Sequence, residues 1–225
     1  MIAKLIVQTI LLYGATLVLL LVCAGTWRWP QAWIFVIQMA VTGIAVGAWL
    51  ARHDPALMAE RMGSPIQRDQ EPRDKIFMVT LMIGWFAWLV FMALDAVRFR
   101  LSHVPVWGQV IGALLLFVAM YAFYVTFREN TFAAPVVKFQ KERGQRVVST
   151  GPYAVVRHPM YAGASLMFFG IPLLLGSAWG LALAPLWVLL LAFRIPIEER
   201  MLRQKLDGYG DYAARVRYRL IPGVW

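Results

Sequence analysis

The sequence predicts an all-α, polytopic membrane helical bundle of about six spans, the last two of which form a short C-terminal helical hairpin. Three observations favour this fold class: a high apolar content, apolar runs long enough to cross a bilayer, and basic residues concentrated in alternate connections. Of the 225 residues, 60% are hydrophobic and 15% are charged. Soluble domains are about 45–50% apolar and about 25% charged. We therefore expect most of the chain to lie in lipid.

The spans are predicted from the apolar runs. An α-helix rises about 1.5 Å per residue, so about 20 apolar residues cross the roughly 30 Å hydrocarbon core. Four runs reach this length, at residues 5–24, 32–51, 76–97 and 107–127. Two further runs, at residues 161–175 and 179–193, are shorter. The connection between these two runs is very short and contains Gly176 and Ser177, which indicates a tight helical hairpin.

The basic residues predict the orientation. In a six-span arrangement, only Arg28, Arg98 and Arg100 of the 22 basic residues fall on one side, and all others fall on the opposite side. The positive-inside rule then predicts an integral, multi-pass protein whose termini and active site are cytoplasmic. In a bacterium the membrane would be the inner one.

Charge and composition also exclude some classes of partner. The net charge of +10 arises from residues in the gaps between apolar runs, where they would contact anionic lipid headgroups. We therefore expect membrane lipid and no nucleic acid as a partner. With three scattered His and the single Cys23, we expect no metal site.

The informative polar residues lie in the last hundred positions. This predicts two parts: N-terminal transmembrane helices at residues 1–127, and a cofactor-binding and catalytic region at residues 128–225 that includes the last two membrane helices and a cytoplasmic tail. Within the first part, Gly43 and Gly47 have the small-xxx-small spacing that is typical of close helix packing.

One segment combines turn residues with reactive side chains. Residues 151–163 read Gly-Pro-Tyr-Ala-Val-Val-Arg-His-Pro-Met-Tyr-Ala-Gly, at the start of the predicted hairpin. Pro159 disfavours a helical conformation at His158, so the helix should break there and a pocket could form. A juxtamembrane turn without a pocket would explain the same residues.

A pair of acids, Glu198 and Glu199, follows the last apolar run. Such acids beside a basic tail commonly form surface ion pairs. Adjacent residues of a helix point about 100° apart, so the two acids are not expected to make the same contact.

Taken together, segment 151–163 and the two acids some 35 residues later resemble the signature of the isoprenylcysteine carboxyl methyltransferase family, and more broadly the phospholipid methyltransferases. The spacing of Tyr209, Tyr212 and Arg215 is also similar. The resemblance covers about residues 130–225. It implies an S-adenosylmethionine-dependent methyltransferase whose lipophilic substrate enters from the bilayer, most simply a prenyl- or lipid-like carboxylate.

The resemblance also implies roles for individual residues. The cofactor-binding residues would be Tyr153, Arg157, His158, Pro159, Tyr161, Gly163 and Glu199. The catalytic residues would be Glu198, Glu199 and Arg215, with Arg215 holding the acidic group of the acceptor. The sequence contains no Gly-rich loop after a strand, so the usual soluble methyltransferase fold is not expected.

Several alternatives stay open. A phospholipid or small-thiol methyltransferase of the same superfamily would fit the same residues. Membrane sterol reductases, which use NADPH, carry a similar Arg-His-Pro-x-Tyr segment, but they typically have Asn where this chain has Met160. A membrane scaffold without enzymatic activity is the third alternative.

Overall fold

The computed structural model describes residues 1–225 and contains helices and connections but no strand. Five helices are long and apolar enough to cross a membrane, and a sixth apolar helix is shorter. The predicted fold class, a polytopic helical bundle, is confirmed. The helices are α1 (Ile2–Ala24), α2 (Pro30–His53), α3 (Pro55–Arg61), α4 (Pro72–Ala93, continued by a π-helical turn at Leu94–Arg98), α5 (Val106–Glu129), α6 (Pro159–Leu175), α7 (Ala178–Lys205) and α8 (Tyr209–Arg215).

The short connections meet at one end of the bundle. At this end the Gln31 side chain, on α2, donates a hydrogen bond of 2.9 Å to Gln109, on α5. The hydroxyls of Ser102 and Ser177 both donate to Asp95 Oδ2, at 2.6 and 2.5 Å. The connections that follow α1, α4 and α6 therefore share one end, as six alternating spans require. Which compartment this end faces stays a prediction.

The C-terminal hairpin has arms of unequal length. Helix α6 has 17 residues and α7 has 28, which at about 1.5 Å per residue gives roughly 25 and 42 Å. The predicted end of the last membrane helix, near residue 193, is wrong, because α7 continues past Pro196 to Lys205. The helix can continue through the charged residue Arg194 because the carboxylate of Asp74 neutralises it, accepting a hydrogen bond from Arg194 Nε at 2.7 Å.

Small residues bring α5 and α6 together. A Cβ atom added at Gly112 would lie 2.4 Å from the backbone nitrogen of Leu174, so only glycine permits this approach. The small-residue prediction for α2 is correct at Gly47, where an added Cβ would meet Leu5 at 2.7 Å. It is wrong at Gly43, where an added Cβ would meet nothing within 4 Å.

The core joins α4, α6 and α7 through a cluster of aromatic rings. Trp88 and Trp187 have ring centroids 5.2 Å apart, and Phe168 lies 5.5 Å from Trp187. Trp88 also donates from its indole nitrogen to the carbonyl of Gly180 at 3.1 Å. This packing fixes α4, α6 and α7 against one another in the bundle.

Candidate active site

A cleft lies at the end of the bundle that carries the long connections. Its walls are the connection after α5, the start of α6, the end of α7 and α8, and the space between them is about 760 Å³ including the open mouth. The predicted site residues that line it are Tyr153, Arg157, His158, Tyr161 and Glu198.

The chain breaks its helical structure at Arg157 and His158, as predicted from Pro159. Helix α6 begins at Pro159, and His158 is its N-cap residue. The backbone N–H of Arg157 donates to the carbonyl of Tyr218, and that of His158 to the carbonyl of Arg219, both at 2.9 Å. The C-terminal tail therefore returns to the start of α6 and is attached there by the main chain.

Glu199 lies inside an ion-pair network. Arg157 Nε donates to Glu199 Oε1 at 2.6 Å, and Arg219 Nε donates to Oε2 at 3.2 Å. His158 Nε2 lies 3.3 Å from Oε1. The side chains of Arg157 and Glu199 are each 5% exposed, and Arg157 also donates to the carbonyl of Val216 at 2.6 Å. The network therefore attaches the tail to α7.

Glu198 faces the cleft. Its side chain is 27% exposed, and its Oε2 lies 3.8 Å from His158 Nδ1. The hydroxyl of Tyr161 donates to the same oxygen at 2.6 Å. The rings of His158 and Tyr161 are stacked, with centroids 5.4 Å apart. The helical offset of about 100° between neighbours thus points one acid of the pair into the protein and the other into the cleft.

Tyrosine rings form much of the opposite wall. The hydroxyl of Tyr153 accepts a hydrogen bond of 2.8 Å from the side-chain amide of Asn130. Burial raises the pKa of Tyr153 above its usual range, so the hydroxyl stays protonated. Tyr212 donates to the carbonyl of Tyr153 at 2.8 Å, and the rings of Tyr209 and Tyr212 are 5.7 Å apart. The cleft thus offers aromatic faces together with the Glu198 carboxylate.

Four predicted site residues lie outside the lining. Glu199 is in the ion-pair network, and Pro159 forms the first turn of α6. Gly163 permits the contact with α5, because an added Cβ would lie 3.2 Å from Ala122 Cβ. Arg215 is exposed at the end of α8.

Sequence reasoning missed a buried ion pair that shapes the cleft. Asp74 is fully buried, and besides Arg194 it accepts hydrogen bonds from the Gln70 side chain and from the backbone N–H of Val137, both at 2.8 Å. Arg194 also donates to the carbonyl of Pro135 at 2.7 Å. The pair therefore holds the connection after α5 against α4 and α7. The sequence offered only one sign of this pair, an acid and a base that each lie at the end of a span. Because 120 positions separate them, nothing in the sequence indicates that they meet.

Comparisons with known proteins agree with this architecture. Residues 107–208 match the family model described as phospholipid methyltransferase. The mouse protein Delta(14)-sterol reductase TM7SF2 is 27% identical to this chain over 168 residues. The match covers 64% of this chain and 38% of the mouse protein, so the chain spans well under half the length of that relative.

The fold and the cleft define a polytopic membrane protein with a site at one end of its helical bundle. Residues 107–208, which supply most of the lining of this site, match the phospholipid methyltransferase family, part of the membrane methyltransferase superfamily that includes the isoprenylcysteine carboxyl methyltransferases. The resemblance identified from the Arg-His-Pro-Met-Tyr segment is thereby confirmed at the level of the superfamily.

Proposed function

We propose that the protein is an S-adenosylmethionine-dependent methyltransferase that methylates a carboxylate on a prenyl- or lipid-like substrate. The observation that carries this proposal is the Glu198 carboxylate, partly exposed in a cleft that is otherwise mainly aromatic and apolar. The superfamily match of the surrounding residues supports it.

The chemistry of the lining fits the donor. S-adenosylmethionine, when bound, supplies a methyl group on a sulfonium, and it also carries an ammonium, a carboxylate and an adenine. Glu198 would hold a cationic group, oriented by the hydrogen bond from Tyr161. The rings of Tyr153, Tyr209 and Tyr212 would pack against the adenine or the sulfonium. Arg146 lines the cleft and is exposed, so it is a candidate partner for the carboxylate.

The same residues suggest how the reaction would run. A carboxylate acceptor is already ionised near neutral pH and needs no base. The methyl carbon would leave sulfur as its bond to the carboxylate oxygen forms, so that one positive and one negative charge disappear together. The protein would orient the two groups and exclude water. By resemblance, Arg215 is our candidate for orienting the acceptor. It is exposed at the end of α8, the helix whose Tyr209 and Tyr212 line the cleft. An amine acceptor would need a base, and Glu198 is the candidate.

A reductase is the second candidate function, and the similarity to the mouse sterol reductase favours it. The charges of the cleft argue against it. A nicotinamide dinucleotide carries several phosphate charges, whereas two of the three Lys and Arg residues in the lining are already paired: Arg157 with Glu199, and Lys138 with Glu60 at 2.6 Å. Only Arg146 is left for the phosphates. An anionic cofactor would also lie near Glu198, which would repel it.

Binding of labelled S-adenosylmethionine to the purified protein tests the proposal, with NADPH measured in parallel. We expect saturable binding of S-adenosylmethionine that Glu198→Gln weakens roughly tenfold or more. Glu142→Gln is the matched control, because Glu142 is exposed outside the cleft. Binding of NADPH alone would favour the reductase, and binding of neither would refute both.

A further inference from the structure

A second cavity lies between α1, α2, α3, α5 and α6, apart from the cleft. The space inside it is about 890 Å³ including its open part, and 11 of its 15 lining residues are hydrophobic. Five of them are methionines, whose flexible side chains adapt to ligands of irregular shape: Met39, Met58, Met62, Met120 and Met167. An apolar cavity among membrane-spanning helices is chemically suited to a hydrocarbon chain.

Arg61, the last residue of α3, supplies the charge in this lining. Its guanidinium lies 4.0 Å above the ring of Phe127 and donates to the carbonyl of Ala133 at 2.8 Å. None of the ion pairs of the protein includes Arg61. Burial lowers the pKa of Arg61 to about 10. A partly buried cation without a counterion is costly, which indicates a place for an anion.

The two fully buried arginines at this end of the bundle have their own carboxylates. Arg157 pairs with Glu199 and Arg194 with Asp74. Arg61 differs from them in having only a carbonyl, a ring and a sulfur atom as partners. Its positive charge is therefore available to a ligand, and the fork of the guanidinium matches a carboxylate.

Arg61 also connects the cavity to the cleft. Ala133 and Met160 line the cleft, and Arg61 Nη1 contacts both, at 2.8 Å from the Ala133 carbonyl and 3.7 Å from the Met160 sulfur. A chain in the cavity with its headgroup at Arg61 would thus present that headgroup beside the cleft.

We infer that this cavity binds the acceptor lipid and that Arg61 holds its anionic headgroup beside the cleft. Arg215, exposed at the end of α8, would act on the acceptor only in the transfer step. The assignment of the lipid as methyl acceptor rests on the proposed function. Most of the cavity wall comes from α1, α2 and α3, which precede the family-matched residues 107–208. The N-terminal helices, rather than the superfamily region, would then select the acceptor of this protein.

Binding of two ligands with the same tail tests the headgroup contact. Hexadecanoate and uncharged hexadecanol would be titrated into the purified protein in an uncharged detergent at pH 8. We expect hexadecanoate to bind roughly tenfold or more tightly than hexadecanol. Arg61→Gln should remove this preference, and Arg61→Lys should keep part of it. Arg68→Gln is the control, because Arg68 is an exposed arginine outside the cavity.

Filling the cavity tests the tail contact independently. Gly43 lines the cavity, and an added Cβ there meets nothing within 4 Å. Gly43→Leu should therefore fold and weaken the binding of both ligands. Gly14→Leu is matched to it, since Gly14 is a helical glycine with open space around it that does not line the cavity.

Three results would overturn the inference: equal affinity for the two ligands in the unmodified protein, a preference that survives Arg61→Gln, or unchanged binding in Gly43→Leu. Should Arg61→Gln fail to fold, Arg61→Lys and Gly43→Leu decide. Binding of S-adenosylmethionine, measured on the same samples, separates the two proposals. A protein that prefers hexadecanoate through Arg61 but binds no S-adenosylmethionine would have this lipid site without the proposed activity.

Discussion

The hydroxyl of Tyr161, on α6, donates a hydrogen bond of 2.6 Å to Glu198, on α7. This contact joins the two helices of the hairpin within the lining of the cleft. It also selects one orientation of a carboxylate that would otherwise be free to rotate towards solvent. Tyr161 therefore acts on the cleft through Glu198, as a positioning residue.

Removing this hydroxyl should weaken binding of the cofactor. In Tyr161→Phe the ring remains, and Glu198 loses its oriented donor. A hydrogen bond to a charged group contributes about 1.5–3 kcal/mol, so we expect the affinity for S-adenosylmethionine to fall roughly tenfold. Equilibrium binding in detergent measures this. Tyr121→Phe, at an exposed position of α5, should change nothing, and equal losses in both variants would contradict the assignment.

The two adjacent acids should respond differently to the same substitution. Glu199→Gln leaves Arg157 buried without its counterion, which typically costs about 3–5 kcal/mol. Glu198→Gln removes a partly exposed charge and should have little effect on stability. Unfolding by denaturant in detergent measures both. If Glu199→Gln were as stable as the unmodified protein, the ion-pair network would not hold the tail as the structure indicates.

The Asp74–Arg194 pair should be needed to form the cleft wall. Asp74→Asn should destabilise the protein by about 3–5 kcal/mol, because Arg194 would be left buried and unpaired. The double variant with Arg194→Met removes both charges and should recover part of this loss. Asp69→Asn, at an exposed position in the same connection, is the control. A double variant less stable than Asp74→Asn alone would argue against the pairing.

Substitution of Arg215 should lower turnover without changing the affinity for the cofactor. Arg215→Lys keeps the charge but loses the planar fork that fits a carboxylate. If Arg215 orients the acceptor, turnover should fall while the affinity for S-adenosylmethionine stays the same. Both quantities can be measured once an acceptor is found. Arg203→Lys, at an exposed position of α7, is the control. Unchanged turnover in Arg215→Lys would show that Arg215 does not orient the acceptor.

Labelling of single cysteines should verify the membrane topology. In a Cys23→Ser background, cysteines at Asp69, Glu142 and Val224 should all react from the cytoplasmic side. A cysteine at Leu101 should react only from the opposite side. All four positions are exposed in the structure. Reaction of Glu142 and Leu101 from the same side would contradict the six-span arrangement.

Much of the bundle could be predicted because its causes are local. A helix in lipid satisfies its own backbone hydrogen bonds, so the bounds of each apolar run predicted the bounds of a membrane helix to within a few residues. The exception was the end of α7. Arg194 ended the apolar run, but its partner Asp74 is 120 positions away, and no local pattern reveals that the charge is neutralised.

The class of fold, the alternation of the spans and the helix break at His158 and Pro159 could all be predicted, because they depend on composition and on the geometry of neighbouring residues. The sequence also indicated that Glu198 and Glu199 differ. Which of the two acids faces the cleft could not be predicted, since the orientation of α7 relative to Arg157 and Tyr161 depends on packing between helices that are distant in the chain. Arg61 became informative for the same reason. A lone cation is ordinary in a connection, and it becomes unusual only when folding partly buries it beside an apolar cavity without a carboxylate.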